Sequence, residues 1–426
     1  MLPIFNEYRK MLNNFNVDLS MYSENKLWID RLIIRGINKE GQIKKICRLT
    51  VTDDLKYDYK FYSDMPKDSE LINWNEAYEY YKDDILKKEQ ESLDIIKTAL
   101  QKYLNYTSIL TTSMGKDSKL TEYLLRKITT NYQPIFNNTT LDCADVYKEV
   151  KQRKDIKIIT PKLSNGDTRS FYKMIEKYGT PSRFSRWCCS YFKEGATSQY
   201  LQNKNNIMFF MGMRNEESNT RSEYGWVIQN PNWNNSSWIG ILPIRKWTEI
   251  ELWLYTIYNN IPINPKYLKG YSRVGCHVAC PYYTKSTWVL DKYWFPKAYN
   301  RFHAILEKDF KDNEKWTRMN CTCKEYHLNW NGGQVRNKPT DDVVKEFMDY
   351  KGLDNVELSR QYFTKKCMDC GKNVYKKDEV AMNLKMFGRN INKFKCKKCL
   401  MKEFNWSKED WDNQVKRFKD QNCKLF

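Results

Sequence analysis

The sequence has only three histidines, and they stand in no arrangement of a catalytic triad. It contains no Gly-x-Ser-x-Gly, His-Glu-x-x-His or Gly-x-Gly-x-x-Gly pattern. Serine hydrolase, zinc protease and dinucleotide-binding readings therefore have no residues to stand on. No uninterrupted apolar run approaches the roughly 18 residues that suggest a membrane span. No secretory signal pattern opens the chain. A reduced, soluble, cytoplasmic protein with no membrane partner is expected. The 13 cysteines agree with this, because several are grouped as Cys-x2-Cys, Cys-x3-Cys, Cys-x-Cys and Cys-Cys. Such grouping suits metal ligands rather than a disulfide framework.

What is present begins with length and charge. At 426 residues, 41% hydrophobic and 15% aromatic, the chain can bury the cores of two or three domains. Its 72 Lys and Arg against 52 Asp and Glu leave a formal charge of +20. Such a balance points to a polyanionic partner, with nucleic acid (DNA or tRNA) as the leading candidate; a Lys-rich soluble surface is the plain alternative.

The chain divides by pattern. Residues 1–22 read as an amphipathic helix. Leu27–Arg35, Lys44–Val51 and Tyr57–Tyr62 read as strands of a small β-containing N-terminal module, residues 1–72. Asn73–Tyr103 is a long helical stretch. From Thr107 onward, strand and helix patterns alternate through Ile156–Thr160, as in an α/β parallel sheet. The nucleotide-binding domain is expected over 73–330, a linker or helix over 331–360, and a separate Lys- and Cys-rich module over 361–426.

The first chemical signal is Ser113-Met-Gly-Lys-Asp-Ser118, a small-residue turn between an apolar strand and a helix. Such a turn aims backbone N–H groups and a helix N-terminus at an anion. Ser113 and Ser118 add hydroxyls, Lys116 a point charge, and Asp117 a carboxylate for Mg²⁺ or a ribose hydroxyl. Alternatively the turn is only a capped strand-to-helix corner. The spacing is not that of a Walker loop. The second signal is Cys367-x2-Cys370 and Cys396-x2-Cys399, whose four thiolates suit a closed, tetrahedral, structural Zn²⁺ site. The lysines and aromatics around it suit a nucleic-acid surface; a protein-contacting ribbon is the alternative.

Four stretches together resemble the phosphoadenosine phosphosulfate reductase family and its adenine nucleotide α-hydrolase (PP-loop) relatives. Ser113–Ser118 is similar to that family's Ser-x-Gly-x-Asp-Ser loop, and Asn138-Thr-Thr-Leu-Asp142 to its Asn-Thr-Gly-x-Glu segment. Gly212-Met-Arg-Asn-Glu-Glu-Ser218 with Arg221 resembles its Gly-x-Arg-x-x-Glu-Ser-x-x-Arg element. Leu242–Trp247 resembles its Pro-Ile-x-x-Trp element. The resemblance implies a parallel-sheet domain that binds ATP or (phospho)adenylyl sulfate. Ser113, Gly115, Lys116, Asp117, Ser118, Asn138, Thr139 and Gly212 would form the cradle, and Arg214 and Arg221 would clamp the charged end.

Cys188-Cys189 and Cys276-x3-Cys280 look like the Cys-Cys…Cys-x2-Cys arrangement of the iron–sulfur branch. That branch includes adenylyl sulfate reductases and is related to DNA phosphorothioation sulfurtransferases. A 4Fe–4S cluster is implied on Cys188 or Cys189, Cys276 and Cys280, with Cys321 or Cys323 as further ligands. Zinc with His277, or free buried thiols, remain open because the spacing is one residue longer than the family's. The reductases' near-terminal Glu-Cys-Gly-Ile-His segment is missing; Cys423 lacks those neighbours. Cys143, at the rim of the expected site, would suit a persulfide carrier, or is a semi-buried helix-start cysteine.

The expected enzyme adenylylates an acceptor, a nucleic acid or nucleotide, with ATP and then delivers sulfur from a donor protein. The alternatives are a reductase that releases sulfite with help from an electron donor, and a nucleic-acid-binding protein that senses ATP.

Overall fold

The computed structural model describes residues 1–162, 168, 170–178, 180, 181, 187–217, 219–229, 237–311, 323, 365–374, 377–387, 394–421, 423 and 425. They group into two compact units, Met1–Gly179 with Trp187–Tyr299, and Thr180–Arg186 with Asn300–Phe426. The N-terminal module and the nucleotide-type sheet thus share one unit. The expected linker, 331–360, lies outside the described residues. No helix among the described residues is long and apolar enough to cross a membrane.

The N-terminal sheet is antiparallel in the order β1 (Leu2–Pro3), β2 (Leu27–Asp30), β3 (Ile33–Ile37), β4 (Ile43–Val51), β5 (Tyr57–Phe61). Two expectations need correction here. The first 22 residues contain one helix, α1 (Asn6–Asn14), preceded by the edge strand β1. Leu27–Arg35 is two strands, because Arg31 takes a left-handed φ of 57° and the chain folds back on itself. No Gly or Asn marks that turn, so the apolar run reads as continuous. Ile34 and Cys47, partners in register, are buried on one face of this sheet, and Trp28, the partner of Arg35, is buried on the other against Trp74.

Helix α2 (Trp74–Lys102) starts at Asn73, whose side chain accepts the N–H groups of Asn75 and Glu76 while Glu76 reaches back to cap Asn73. It leads into the second sheet. That sheet runs β10 (Val227–Ile228), β11 (Trp238–Ile241), β9 (Ile207–Phe210), β6 (Thr107–Thr111), β7 (Gln133–Asn137), β8 (Lys157–Ile159). Every pairing is parallel except the β10 edge. One face is closed by Ile109, Ile135, Leu201, Ile207, Phe209 and Trp238, nearly continuous apolar strands as a doubly covered sheet requires.

Strand β6 is the point of reversal, since β7 continues on one side of it and β9 lies on the other. At such a switch point the connections leave in opposite directions and open a crevice beyond the strand's carboxyl end. Ser113–Ser118 lies there, leading into α3 (Lys116–Arg126).

Candidate active site

The loop after β6 is shaped by its own side chains. Met114 is left-handed (φ 59°) and buried, and its N–H donates to Thr112 Oγ1 at 3.2 Å. Gly115 occupies the N-cap of α3; a Cβ there would come within 3.2 Å of both Ser113 Oγ and Tyr267 Oη. The Lys116 N–H donates to that same Tyr267 hydroxyl at 3.0 Å. Ser118 turns back to donate to the Gly115 carbonyl at 2.9 Å, whereas Ser113 is exposed. Of the two serines expected in the cradle, Ser118 therefore holds the loop's shape and Ser113 faces out of it.

Beneath the loop lies a buried ionic network. Lys116 Nζ is 3.0 Å from Asp117 Oδ2 and 3.4 Å from Glu249 Oε1. Arg214 is 2% exposed and donates from Nε to Asp117 Oδ1 at 2.6 Å. Its other nitrogens reach Glu216 at 2.8 Å and Glu249. Burial pushes the Asp117 and Glu249 carboxyls up, but Lys116 and Arg214 outweigh it and leave both below the usual carboxylate range. Burial likewise opposes the charge on Lys116, yet Asp117 and Glu249 more than restore it. Two buried cations and the two carboxylates buried with them thus neutralise one another, with the exposed Glu216 as a third carboxylate at the edge.

Gly212, at the exit of β9, explains how the two segments fit: a Cβ there would lie 2.6 Å from the Asp117 carbonyl carbon and 2.9 Å from Ser118 N. Only a residue without a side chain lets this strand exit cross the first turn of α3. Arg221 pairs with Glu217 four residues earlier. Glu249 escaped the sequence reading. It opens the helix Glu249–Tyr258 directly after Leu242–Trp247, and its partners are distant in sequence.

At the end of β7, Asn138 Oδ1 accepts from Thr140 N–H at 3.0 Å and from the Tyr147 hydroxyl at 2.7 Å. Thr139 donates to Asp142 Oδ2 at 2.5 Å. Both residues fix the rim, with Thr140 left-handed at φ 59°. Cys143 is the N-cap of α4 (Ala144–Gln152) and is buried. Burial pushes its thiol up, and the nearby Lys266 ammonium opposes that.

The four central cysteines come together within the first unit. Cys188 and Cys189 close a helical turn, Trp187–Cys189, that continues as one turn of π-helix, Ser190–Glu194. Cys276 and Cys280 sit on a loop bent by Gly275 (φ 131°) and Val278 (φ 55°). A β-branched residue in the left-handed region is a strained choice. The Cys188 thiol is pushed up first by its hydrogen bond with Cys189, then by burial and by the sulfurs of Cys276 and Cys280. Lys193 is held charged chiefly by Cys276, with Cys189 and Cys280 adding to it, and Arg273 also faces this group. Lys193, four residues after Cys189, was missed in the sequence because nothing there tied a lysine to the later cysteines. His277 donates its N–H to the Leu141 carbonyl at 2.8 Å, which links the cysteine loop to the nucleotide-side rim. Burial and the Lys266 and Lys269 charges drive its ring pKa down to about 3, so the ring is neutral. Cys323 falls in the second unit and Cys321 lies outside the described residues.

The terminal set is compact. The sulfurs of Cys367, Cys370, Cys396 and Cys399 all lie within 4.8 Å of one another, and those of Cys370 and Cys396 are 3.6 Å apart. Tetrahedral zinc with bonds of about 2.3 Å needs sulfurs roughly 3.8 Å apart, so the residues fit a single ion. Gly371, left-handed at φ 68°, turns the first knuckle. Among the described residues no other group of three or more such ligands is this tight.

Fold and site together define a mainly parallel α/β domain with a strand-to-helix loop at the switch point of its sheet. Residues 107–281 match the phosphoadenosine phosphosulfate reductase domain. An uncharacterized protein of Methanocaldococcus jannaschii is 28% identical over 285 residues, 66% of this chain and 64% of that protein. The chain thus spans less than two thirds of that relative. An adenosine 5'-phosphosulfate reductase of Shouchella clausii is 26% identical over 209 residues, 47% of this chain and 82% of the reductase. A phosphoadenylyl-sulfate reductase of Candida auris, solved with phosphate, superposes with a TM-score of 0.35 at 16% identity, covering 45% of this chain and 93% of its own.

Proposed function

We propose that the protein is an ATP-dependent, adenylylating sulfur-transfer enzyme acting on a nucleic acid. The observation that carries this reading is the exposed Ser113 and the α3 N-terminus above a self-neutralised network of Lys116, Asp117, Arg214 and Glu249, at the switch point of the sheet. Such a network suits exchange of partners. The arriving phosphates would take over Lys116, and the Asp117 carboxylate released by it would hold Mg²⁺, whose charge would offset that of the leaving pyrophosphate. Arg214, fully engaged by carboxylates, positions Asp117 instead of clamping the nucleotide itself; Arg221, at the surface, is the residue that reaches phosphate. Asn138, Thr139 and Gly212 keep the walls of the cradle in place.

The acceptor oxygen attacks the α-phosphorus, the α–β P–O bond breaks, and pyrophosphate leaves. A persulfide on Cys143, loaded by a sulfur-donor protein, then attacks the activated acceptor. AMP departs with the former acceptor oxygen, and a second thiol cleaves the S–S bond by closing a disulfide. Cys188, Cys189, Cys276 and Cys280 would hold a 4Fe–4S cluster, which would supply an electron reservoir when all four thiolates bind iron. Their looser spread, compared with the terminal set, and the neighbouring Lys193 and Arg273 suit a larger anionic group better than one zinc ion. Zn²⁺ belongs to the terminal set.

A second reading is favoured by that same cysteine group and by the similarity to an adenosine 5'-phosphosulfate reductase: sulfite release from an adenylyl sulfate. Anaerobically purified protein given ATP with tRNA, DNA or neither separates the readings. Pyrophosphate release stimulated by one nucleic acid is the expected result. Sulfite release from adenylyl sulfate with no ATP turnover would establish the reductase, and ATP binding without turnover of either would establish a sensor.

A further inference from the structure

The C-terminal module holds a feature that the sulfur chemistry does not use. Helix Lys377–Phe387 ends in a ring 39% exposed. Phe387 packs against Phe404 in a tilted pair, with centroids 5.7 Å apart and 31° between the planes. Phe404 stacks in turn on Trp406 at 4.9 Å and 28°. The three rings form a short ladder. Its inner end rests on the module's core at Trp411, and its outer end, Phe387, is open. Exposed aromatic surface of this kind is costly in water unless something covers it.

Charge says what covers it. Residues 361–426 contain 17 Lys and Arg against 8 Asp and Glu, a surplus of 9 in 66 residues, nearly half of the chain's +20. Lys398 and Lys402 are exposed at i and i+4 on the helix Lys397–Glu403, which runs directly into Phe404. A ring ladder with one open end, in a module whose helix before Phe404 carries two exposed lysines one turn apart, matches a nucleobase and its phosphates, since every base has a π-face and every linkage an anion.

We propose that this module binds an unpaired nucleic-acid strand, one base stacking on Phe387 as the next rung, with Lys398 and Lys402 on the flanking phosphates. The inference rests on the nucleic-acid reading above and adds its strandedness and its contact residues. A duplex keeps its bases stacked on one another and offers no free face to Phe387.

The test uses the full chain, zinc-loaded, in fluorescence anisotropy with a U-rich single-stranded 12-mer and the matching duplex. Tighter binding of the single strand is expected. Phe387→Ala should weaken it about 5- to 100-fold, the range for loss of one stacked base. Phe387→Leu, which keeps apolar contact with Phe404, should weaken it too and serves if the alanine variant loses zinc. Lys398→Glu with Lys402→Glu should lower both affinity and its salt dependence. Unchanged affinity in both Phe387 variants, or preference for the duplex, overturns the ladder while leaving a nucleic-acid acceptor intact. No binding of either nucleic acid by the wild-type protein overturns both.

Discussion

The terminal set Cys367, Cys370, Cys396 and Cys399 and the central set Cys188, Cys189, Cys276 and Cys280 contain the same four thiols and differ in everything around them. The terminal sulfurs are packed within one ion's reach, in a module whose only sheet among the described residues is the pair of two-residue strands Lys365–Lys366 and Asn373–Val374. The central sulfurs are carried by a helical turn and a loop anchored to a six-stranded sheet, with Lys193 and Arg273 facing them. In the first case the ligands make the fold; in the second the fold brings the ligands together. Metal removal should therefore act on the two regions unequally.

The largest effect is expected at the terminal set. Structural zinc contributes on the order of 10 kcal/mol to the folding of small modules. Cys396→Ser, or a strong chelator, should abolish the module's cooperative unfolding transition in calorimetry while the transition of the first unit is retained. A terminal module that still unfolds cooperatively without zinc would remove the contrast.

Next comes Arg214→Ala. It leaves Asp117 and Glu249 buried with one cation fewer, and breaking a buried ion pair typically costs about 3–5 kcal/mol. Denaturant unfolding of the first unit should register that loss, and ATP affinity should fall with it because Asp117 is no longer held. A loss of ATP affinity with stability unchanged would mean that Arg214 touches the nucleotide and is not mainly a support.

At the central set, Cys276→Ser should eliminate iron and acid-labile sulfide. Unfolding of the first unit should weaken by only about 1–3 kcal/mol, the scale of one poorly satisfied buried hydroxyl. Collapse of the first unit in this variant would show that the central cysteines, like the terminal ones, build their own surroundings.

The same contrast separates what was legible in the sequence from what was not. Zinc-type knuckles are local, so their spacing suffices. The parallel strands are also legible, because apolar runs such as Ile207–Phe210 need no partner to be recognised. Ser113–Ser118 was readable as a loop, but Lys116 and Arg214 looked like free cations. Their neutralisation depends on Glu249 and on the approach of Gly212, both set by tertiary packing. Lys193 and the buried Lys266 were invisible for the same reason. The turn at Arg31 and the strained Val278 use left-handed conformations at residues that ordinarily avoid them, which no composition rule anticipates.

The smallest expected effects lie in the pH profile, and they differ in sign between the loop and the cysteine side. Asp117 and Glu249 are held below their usual values, so their contribution to stability is present above pH 4.5 and is lost as acid protonates them below it. Behind the cysteine loop the opposite holds. Asp291 is fully buried beside His277, accepts from Tyr271 at 2.7 Å, and is pushed up to about 7 by burial despite Lys266 and Tyr271. Its contribution is complete below its ordinary 3.8 and lost as pH rises through about 7, because ionisation then places a charge in the interior. Asp291→Asn keeps the acceptor for Tyr271 and cannot ionise. It should flatten the decline in melting temperature between about pH 4 and 7; Asp117→Asn should alter only the loss at more acid pH. If Asp291→Asn leaves that decline untouched, Asp291 is already ionised across this range, paired with a charged Lys266, and the polar group behind the cysteine loop is an ion pair like the one beneath the phosphate loop.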